Sequence, residues 1–272
     1  MKDVAYMSRP NRPLRLYALI YLAFLYIPVL FLPLFSFNDA IYITFPLKGF
    51  TTAWYEQMFG NQQMHAALLN SVKVGTISAV LATVLGVFGA KALTRYRIRG
   101  QKPVVSVIML PLVIPGIILG VALLILLNRI GIQLSLYTVT LGHILISVPF
   151  SMATLMARFE GFDRSMEEAA NDLGDNAWWT FWRVTFPMVF PGILASMLLC
   201  FTISFDEFIM AFFLAGTEPT LPIYIYNQLR FPQKLPGVLA LGACILVVSF
   251  FVVFFSQWLR RRSVDGLSNS GI

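Results

Sequence analysis

Two adjacent carboxylates, Asp206 and Glu207, interrupt a long apolar run and are the side chains best suited to attract a cation. If the run crosses a membrane as a helix, each carboxylate costs about 2.5–3.5 kcal/mol at the membrane centre and less toward the surface. Counted from Val189 at about 1.5 Å per residue, Asp206 lies roughly 26 Å along that helix, in its outer half. A cation about 4 Å away would contribute roughly 4 kcal/mol at an effective dielectric near 20. The alternative is a helix-end pair that faces water or a neighbouring subunit.

A second unusual feature is an aromatic cluster in a polar stretch upstream of that run, where several carboxylates also lie. Its members are Trp178, Trp179, Phe181 and Trp182. Exposed aromatic clusters usually cover a protein partner or lie at a membrane interface. A membrane interface would account for two of the rings, whereas a protein partner would account for the charges and the remaining aromatics.

The same stretch predicts two short helices joined by a glycine. Ser165 followed by Glu168 is a capping-box pattern, which indicates that a helix starts at Ser165. Gly174 can adopt the left-handed conformation that ends such a helix. Asp175 can then cap a second helix, which Pro187 is expected to break. The prediction is therefore a helix–glycine–helix elbow.

Catalytic chemistry is not expected of this chain. The sequence contains no Gly-x-x-x-x-Gly-Lys-Ser/Thr phosphate loop, no His-Glu-x-x-His motif and no convincing nucleophile–base pair. His143 lies in an apolar segment, where a hydrogen-bonded packing role is expected. We expect no catalytic residue, no metal site and no cofactor.

Composition identifies the elements that must position these residues as membrane helices. Apolar residues make up 58% of the 272 positions and charged residues only 12%, with a mean hydropathy of +0.75. Soluble domains carry about 25% charged residues. Apolar runs long enough to cross the roughly 30 Å hydrocarbon core predict six transmembrane helices: Leu16–Phe37, Ser71–Leu93, Val104–Leu127, Ser135–Ala157, Val189–Leu214 and Gly237–Leu259. Prolines inside three of these spans predict kinks, namely Pro28, Pro33, Pro111, Pro115 and Pro149.

The distribution of basic residues predicts the orientation of the spans, because cytoplasmic loops are enriched in Lys and Arg. Five of the 20 basic residues fall on one side: Lys48, Lys73, Arg129, Arg230 and Lys234. The other fifteen fall on the side of the termini: Lys2, Arg9, Arg12, Arg15, Lys91, Arg95, Arg97, Arg99, Lys102, Arg158, Arg164, Arg183, Arg260, Arg261 and Arg262. Both termini are therefore expected in the cytoplasm. The predicted organisation is an N-terminal arm (1–15), a membrane domain (16–259) with a long cytoplasmic loop (158–188), and a tail (260–272).

The spacing within this loop resembles the EAA signature of ABC-importer permeases, which runs EAA, three residues, Gly, nine residues, Ile, one residue, Leu-Pro. The matching residues are Glu168, Ala169, Ala170, Gly174, Val184, Phe186 and Pro187, with Val for Ile and Phe for Leu. In that family the loop docks into a cleft of the ATPase. The resemblance thus implies a coupling role for Glu168, Ala169, Ala170, Gly174 and Pro187, and we expect Trp178 of the aromatic cluster to face the same partner.

The family resemblance also implies the fold and the partners. The expected fold is an all-α integral membrane protein with six transmembrane helices, the type I ABC importer permease fold. The expected partners are a cytoplasmic ATP-binding subunit in two copies, a second permease subunit forming a homologous heterodimer, a periplasmic solute-binding protein and the lipid bilayer. No nucleic-acid partner is expected, and the expected location is the bacterial inner membrane.

The chain resembles spermidine/putrescine permeases over nearly its whole length. The matching stretches are 95–100, 131–134, 161–163, 168–174 and the Asp206–Glu207 pair. The resemblance implies import of a small cationic polyamine. Open alternatives are another solute on the same scaffold, such as ferric iron, thiamine, a phosphonate or an opine, an ion-driven secondary transporter, or a non-transporting membrane scaffold.

Overall fold

The structure is a computed structural model that describes residues 12–96 and 99–251. Within these ranges the chain is helical, and an isolated bridge between Asn38 and Phe50 is its one β-type pairing. The residues divide into two compact units, one comprising 1–61 with 227–272 and the other Gln62–Tyr226.

The first unit contains two long apolar helices, α1 (Arg12–Ser36) and α11 (Pro232–Phe251), and the short α2 (Ala53–Phe59). Ser36 is the only buried residue of α1. The Ser36 hydroxyl closes the helix by donating to the Pro33 carbonyl at 2.7 Å and lies 2.6 Å from the Tyr55 hydroxyl. Because most of α1 is exposed among the described residues, its apolar surface is available to lipid or to another chain.

The described residues that begin in the second unit form eight helices in chain order, and the last of these continues past the end of the unit at Tyr226. They are α3 (Gln62–Arg95), α4 (Gln101–Val113), α5 (Gly116–Arg129), α6 (Leu136–Glu160), α7 (Ser165–Asp172), α8 (Ala177–Asp206), α9 (Ile209–Leu214) and α10 (Leu221–Leu229). Of these, α3, α6 and α8 pack against one another along their lengths, and α9 packs on α5 and α6.

Small residues let α3, α6 and α8 approach closely. A Cβ on Gly86 of α3 would collide with Ser151 of α6. The Ser151 hydroxyl lies 2.7 Å from the Ser196 hydroxyl of α8, and both side chains are fully buried. Close approach through glycine and serine is typical of helices in lipid, where van der Waals packing and interhelical hydrogen bonds drive association.

The predicted spans correspond to described helices, with corrections. Within residues 12–96 and 99–251, five helices are long and apolar enough to cross a membrane, and the α4–α5 pair makes six if it is counted as one span. The third span was predicted as one helix with kinks at its prolines, but it is divided into α4 and α5, which are bent by 102°. The bend follows from Pro115, because the residue before a proline avoids the α region, and Ile114 is extended with ψ 128°.

The fifth and sixth spans also differ from the predicted bounds. The fifth helix ends at Asp206, not at Leu214, because Glu207 leaves the helical conformation with ψ 112°. A separate helix, α9, follows it. The sixth helix is described as far as Phe251, so its predicted end at Leu259 lies outside the described residues, as do most of the N-terminal arm and the whole C-terminal tail.

Candidate functional site

The elbow begins at α7, whose first turn is capped differently from the prediction. The predicted capping box is wrong: Ser165 is the first residue of the helix, and its backbone N–H donates to the Asp163 carboxylate at 2.9 Å. This hydrogen bond, together with one from the Ser165 hydroxyl, lowers the pKa of Asp163. Asp163 thus supplies the negative charge that a helix N-terminus favours.

Gly174 forms the turn between the two helices, as the sequence predicts. Its φ of +96° lies in the left-handed region, and its N–H bonds to the Asn171 carbonyl at 3.0 Å. The next N–H, of Asp175, reaches back to Ala170 at 3.0 Å. A side chain at this position would be strained by its backbone alone, since no atom lies within 4 Å of where a Cβ would be.

The second helix starts one residue later than predicted. Asn176, not Asp175, is the N-cap, and its side-chain oxygen accepts from the N–H groups of Trp178 and Trp179 at 3.2 and 3.0 Å. Asp175 instead pairs with Arg183 at 2.9 Å. Both residues are good caps, so spacing alone did not distinguish them.

Pro187 does not break this helix, so that expectation is wrong. The helix continues as α8 to Asp206 through a π turn at Phe181–Thr185. There the Phe186 N–H bonds to the Phe181 carbonyl, five residues back. Pro187 therefore lies in the first turn of the following α-helical section, where its missing N–H is tolerated.

Most of the predicted coupling residues lie on the exposed surface of the elbow. Glu168, Ala169, Gly174 and Pro187 are exposed, whereas Ala170 is buried at 9% exposure. Leu173 is 90% exposed at the tip, and Trp178 is 64% exposed nearby. The Trp178 ring packs edge-on against Trp182, with centroids 5.8 Å apart. The elbow thus presents an apolar tip beside a carboxylate.

The carboxylate that holds the elbow to the helix bundle is one that sequence reasoning did not single out. Glu167 is buried at 9% exposure and lies 2.8 Å from Arg95 of α3. Its other oxygen accepts from Thr185 at 2.6 Å. The salt bridge of Glu168 is to Arg164, four residues earlier, and both of these side chains are more than 60% exposed. Adjacent helical residues point about 100° apart, and the local pattern does not indicate which glutamate faces the bundle.

Asp206 and Glu207 have different surroundings in the structure. Asp206 is the last residue of α8 and is exposed. The half-buried Glu207 follows it, and its Oε1 accepts from the N–H groups of Ile209 and Met210 at 2.9 and 3.1 Å. Glu207 therefore caps α9, a role that the sequence did not suggest. The pair lies at a helix end and not within a helix, which corrects the expectation of two carboxylates inside one continuous span.

A buried polar contact lies close to this pair. His143 of α6 is 1% exposed, and its Nδ1 lies 2.6 Å from the Ser204 hydroxyl of α8. Ser204 precedes Asp206 by two residues. The bond joins α6 to α8 near the break at Glu207 and agrees with the packing role expected of His143.

Comparisons with known proteins agree with this geometry. Residues 82–264 match the family described as binding-protein-dependent transport system inner membrane component. The chain is 34% identical to the spermidine/putrescine transport system permease protein PotC of Haemophilus influenzae, over 89% of this chain and 93% of that one. It is 32% identical to the putrescine transport system permease protein PotI of Escherichia coli K12, over 88% of each.

A solved structure shares the fold. It is a bacterial ABC transporter involved in the import of the acidic polysaccharide alginate, with a TM-score of 0.71 at 16% identity, covering 90% of this chain and 98% of that chain. At that identity the likeness concerns architecture alone. The architecture is the all-α, type I ABC importer permease fold that the sequence predicted.

The helical bundle and the family match together define a permease subunit of an ABC importer. The chain belongs to the family of binding-protein-dependent transport system inner membrane components. It is a multi-pass inner-membrane protein and a non-catalytic subunit, whose ATPase is a separate chain. An ion-driven secondary transporter and a non-transporting scaffold are therefore set aside.

Proposed function

We propose that this permease imports a small cationic polyamine, such as putrescine or spermidine, delivered by a periplasmic binding protein. The observation that carries the proposal is the 32–34% identity, over about nine-tenths of each chain, to permeases named for spermidine and putrescine transport. Those matches span nearly the full chain.

In this proposal the elbow at 158–188 faces the cytoplasm and docks on the ATP-binding subunit. The bias of basic residues toward that side supports the orientation, with both termini in the cytoplasm. Glu168, Ala169, Ala170, Gly174, Pro187 and Trp178 form or shape the docking surface. The exposed apolar side chains of Leu173 and Trp178 support this role. Apolar groups that are exposed in an isolated chain usually mark the surface that a partner protein covers.

Asp206 and Glu207 are proposed to attract the cation on its way through the bundle. They lie at the break between α8 and α9, where the backbone is not helical. Irregular backbone at membrane depth is tolerated where it lines a cavity or is covered by protein. The exposed Asp206 carboxylate is the better candidate for contact with the solute, since the Glu207 oxygen already accepts two N–H groups.

The proposed assembly contains this chain, a homologous second permease subunit and two ATP-binding subunits. The exposed α1 supports a neighbour in the membrane, because most of its apolar surface is exposed among the described residues. The membrane domain is proposed to span 16–259, between a cytoplasmic arm at 1–15 and a tail at 260–272. Dimerisation of the ATP-binding subunits would push on the elbow and switch the permease pair between inward and outward access.

Uptake in cells tests the proposed function. A strain lacking the gene is complemented with wild type, Asp206→Asn or Glu168→Lys, and uptake of labelled putrescine and spermidine is measured. We expect wild type to restore uptake and both variants to fail while reaching the membrane in normal amounts. Failure of wild type to restore uptake of either polyamine would contradict the assigned solute.

A further inference from the structure

A buried ion pair joins the elbow to the longest helix of the bundle. Glu167 of α7 and Arg95, the last residue of α3, lie 2.8 Å apart with side chains 11% and 10% exposed. The Arg95 Nε–H has no aligned hydrogen-bond acceptor in the described part of the chain, so charge attraction holds this contact. Buried charges without a partner are costly, which makes the pair obligatory once one member is present.

Both members are fixed by further contacts. Thr185, fully buried in the π turn of α8, donates to Glu167 Oε1 at 2.6 Å. Arg95 donates from Nη2 to the Phe162 carbonyl at 3.1 Å, and its guanidinium lies 5.2 Å from the Phe162 ring centroid. Glu167 therefore touches three elements at once: its own helix α7, the π turn of α8, and the end of α3.

The ion pair connects the short helix α7 of the elbow to the long helix α3 of the bundle. The elbow is short, and besides this ion pair α7 packs mainly on the start of α8. The helix α3 runs for 34 residues and packs along α6 and α8. A displacement of α7 thus reaches α3 at a charged contact with fixed geometry. The exposed Glu168–Arg164 pair lies within α7 and its cap and makes no such link.

We propose that Glu167, Arg95 and Thr185 form a joint that transmits movement of the elbow to α3, and that Glu167, not Glu168, is the glutamate that couples the elbow to the bundle. The inference deepens the proposed function, on which it rests. All three are positioning residues, since none is proposed to touch the solute or ATP. Charge and hydrogen bonding suit this task because they fix one register, whereas an apolar contact of equal size would allow the helices to slide.

The joint is tested with the whole importer in proteoliposomes, where ATP hydrolysis and putrescine uptake are measured on the same vesicles. Thr185→Val removes one hydrogen bond and keeps both charges and the shape. We expect putrescine imported per ATP to fall by roughly threefold to tenfold, the factor that a typical intramolecular hydrogen bond supplies. Asp175→Asn, which removes the exposed pair with Arg183 in the same elbow, is the matched control and should keep the wild-type ratio.

A second variant separates coupling from folding. Replacing a buried ion pair with apolar residues often leaves stability unchanged. Arg95→Met with Glu167→Leu is therefore expected to assemble in wild-type amounts but to import little putrescine per ATP. A wild-type ratio in this double variant would overturn the proposal, because the pair would then serve folding alone. If the double variant fails to assemble, a wild-type ratio in Thr185→Val is sufficient to overturn it.

Failure of the solute assignment is recognised separately. If wild-type vesicles hydrolyse ATP but accumulate no putrescine, the assigned solute is wrong. The proposed joint is then tested by ATP hydrolysis instead of by uptake. The measure is then the stimulation of hydrolysis by the binding protein. A joint predicts weaker stimulation in Thr185→Val than in Asp175→Asn, and equal stimulation in the two would overturn it.

Discussion

At the scale of single residues, neighbouring carboxylates have different roles. Glu207 accepts two backbone N–H groups and starts α9, whereas Asp206 beside it is exposed. Glu167 is held between Arg95 and Thr185, whereas Glu168 makes an exposed pair. In each case the backbone direction at that residue decides the role, and the side chains themselves are equivalent in chemistry.

The cap formed by Glu207 predicts a difference between two substitutions. Glu207→Ala removes the acceptor at the start of α9. The free energy of unfolding should fall by about 1 kcal/mol, as it usually does when an N-cap is lost. Glu207→Gln keeps a side-chain oxygen and should melt close to wild type. Thermal unfolding of the purified permease in detergent measures both. Asp206→Asn is the control, since an exposed carboxylate should leave the melting temperature unchanged. Equal melting temperatures for the Ala and Gln variants would contradict the cap.

Sequence patterns located these sites better than they located the partners of each side chain. Gly174 was predictable, because only glycine readily takes a φ of +96° at the end of a helix. The caps were not, since Asp163 and Asn176 stand within two residues of the equally good capping residues Ser165 and Asp175. The choice between Glu167 and Glu168 depends on which side of α7 faces α3. Tertiary packing determines that side, and the local sequence does not.

At the scale of helices, the close packing of α3 on α6 depends on the absence of a side chain at Gly86. Hydropathy identified both helices but carried no information on their separation. Nor did it reveal the extent of the bend at Ile114, although Pro115 predicted a kink there. Likewise the break at Glu207 was hidden because apolar residues continue on both sides of it.

The packing at Gly86 predicts the effect of one added methyl group. In Gly86→Ala the new Cβ collides with Ser151, which is itself bonded to Ser196, so we expect a loss of about 1–3 kcal/mol of stability. Gly89→Ala is the matched control on the same helix, because its new Cβ meets the flexible Met152 Sδ at 3.1 Å. Thermal unfolding in detergent compares the two. A melting temperature for Gly86→Ala at or above that of Gly89→Ala would contradict the close approach.

At the scale of the whole molecule, charge and hydropathy determine how the chain lies in the bilayer. The apolar spans set the number of crossings, and the bias of basic residues is the basis of the proposed direction. The relatives place this architecture in an ABC importer, in which the chain provides the path and another chain provides the energy. The solute assignment depends on the relatives, because the fold itself also serves transport of an acidic polysaccharide.

The orientation predicts opposite labelling of two exposed positions. In a Cys200→Ala/Cys244→Ala background, Leu173→Cys at the elbow tip should react with a membrane-impermeant maleimide only from the cytoplasmic side. Lys48→Cys, in the loop after α1, should react only from the outside. Labelling of intact spheroplasts and of inside-out vesicles measures this directly. Reaction of both positions from the same side would contradict the proposed topology.

ATP-dependent accumulation of putrescine in proteoliposomes tests the central claim most directly. Vesicles carry the purified importer, the binding protein on the outside and ATP enclosed within. We predict that labelled putrescine accumulates only when ATP and the binding protein are both present, and that a protonophore leaves the rate unchanged. Vesicles that hydrolyse ATP without accumulating putrescine or spermidine, or that accumulate them without ATP, would contradict the account.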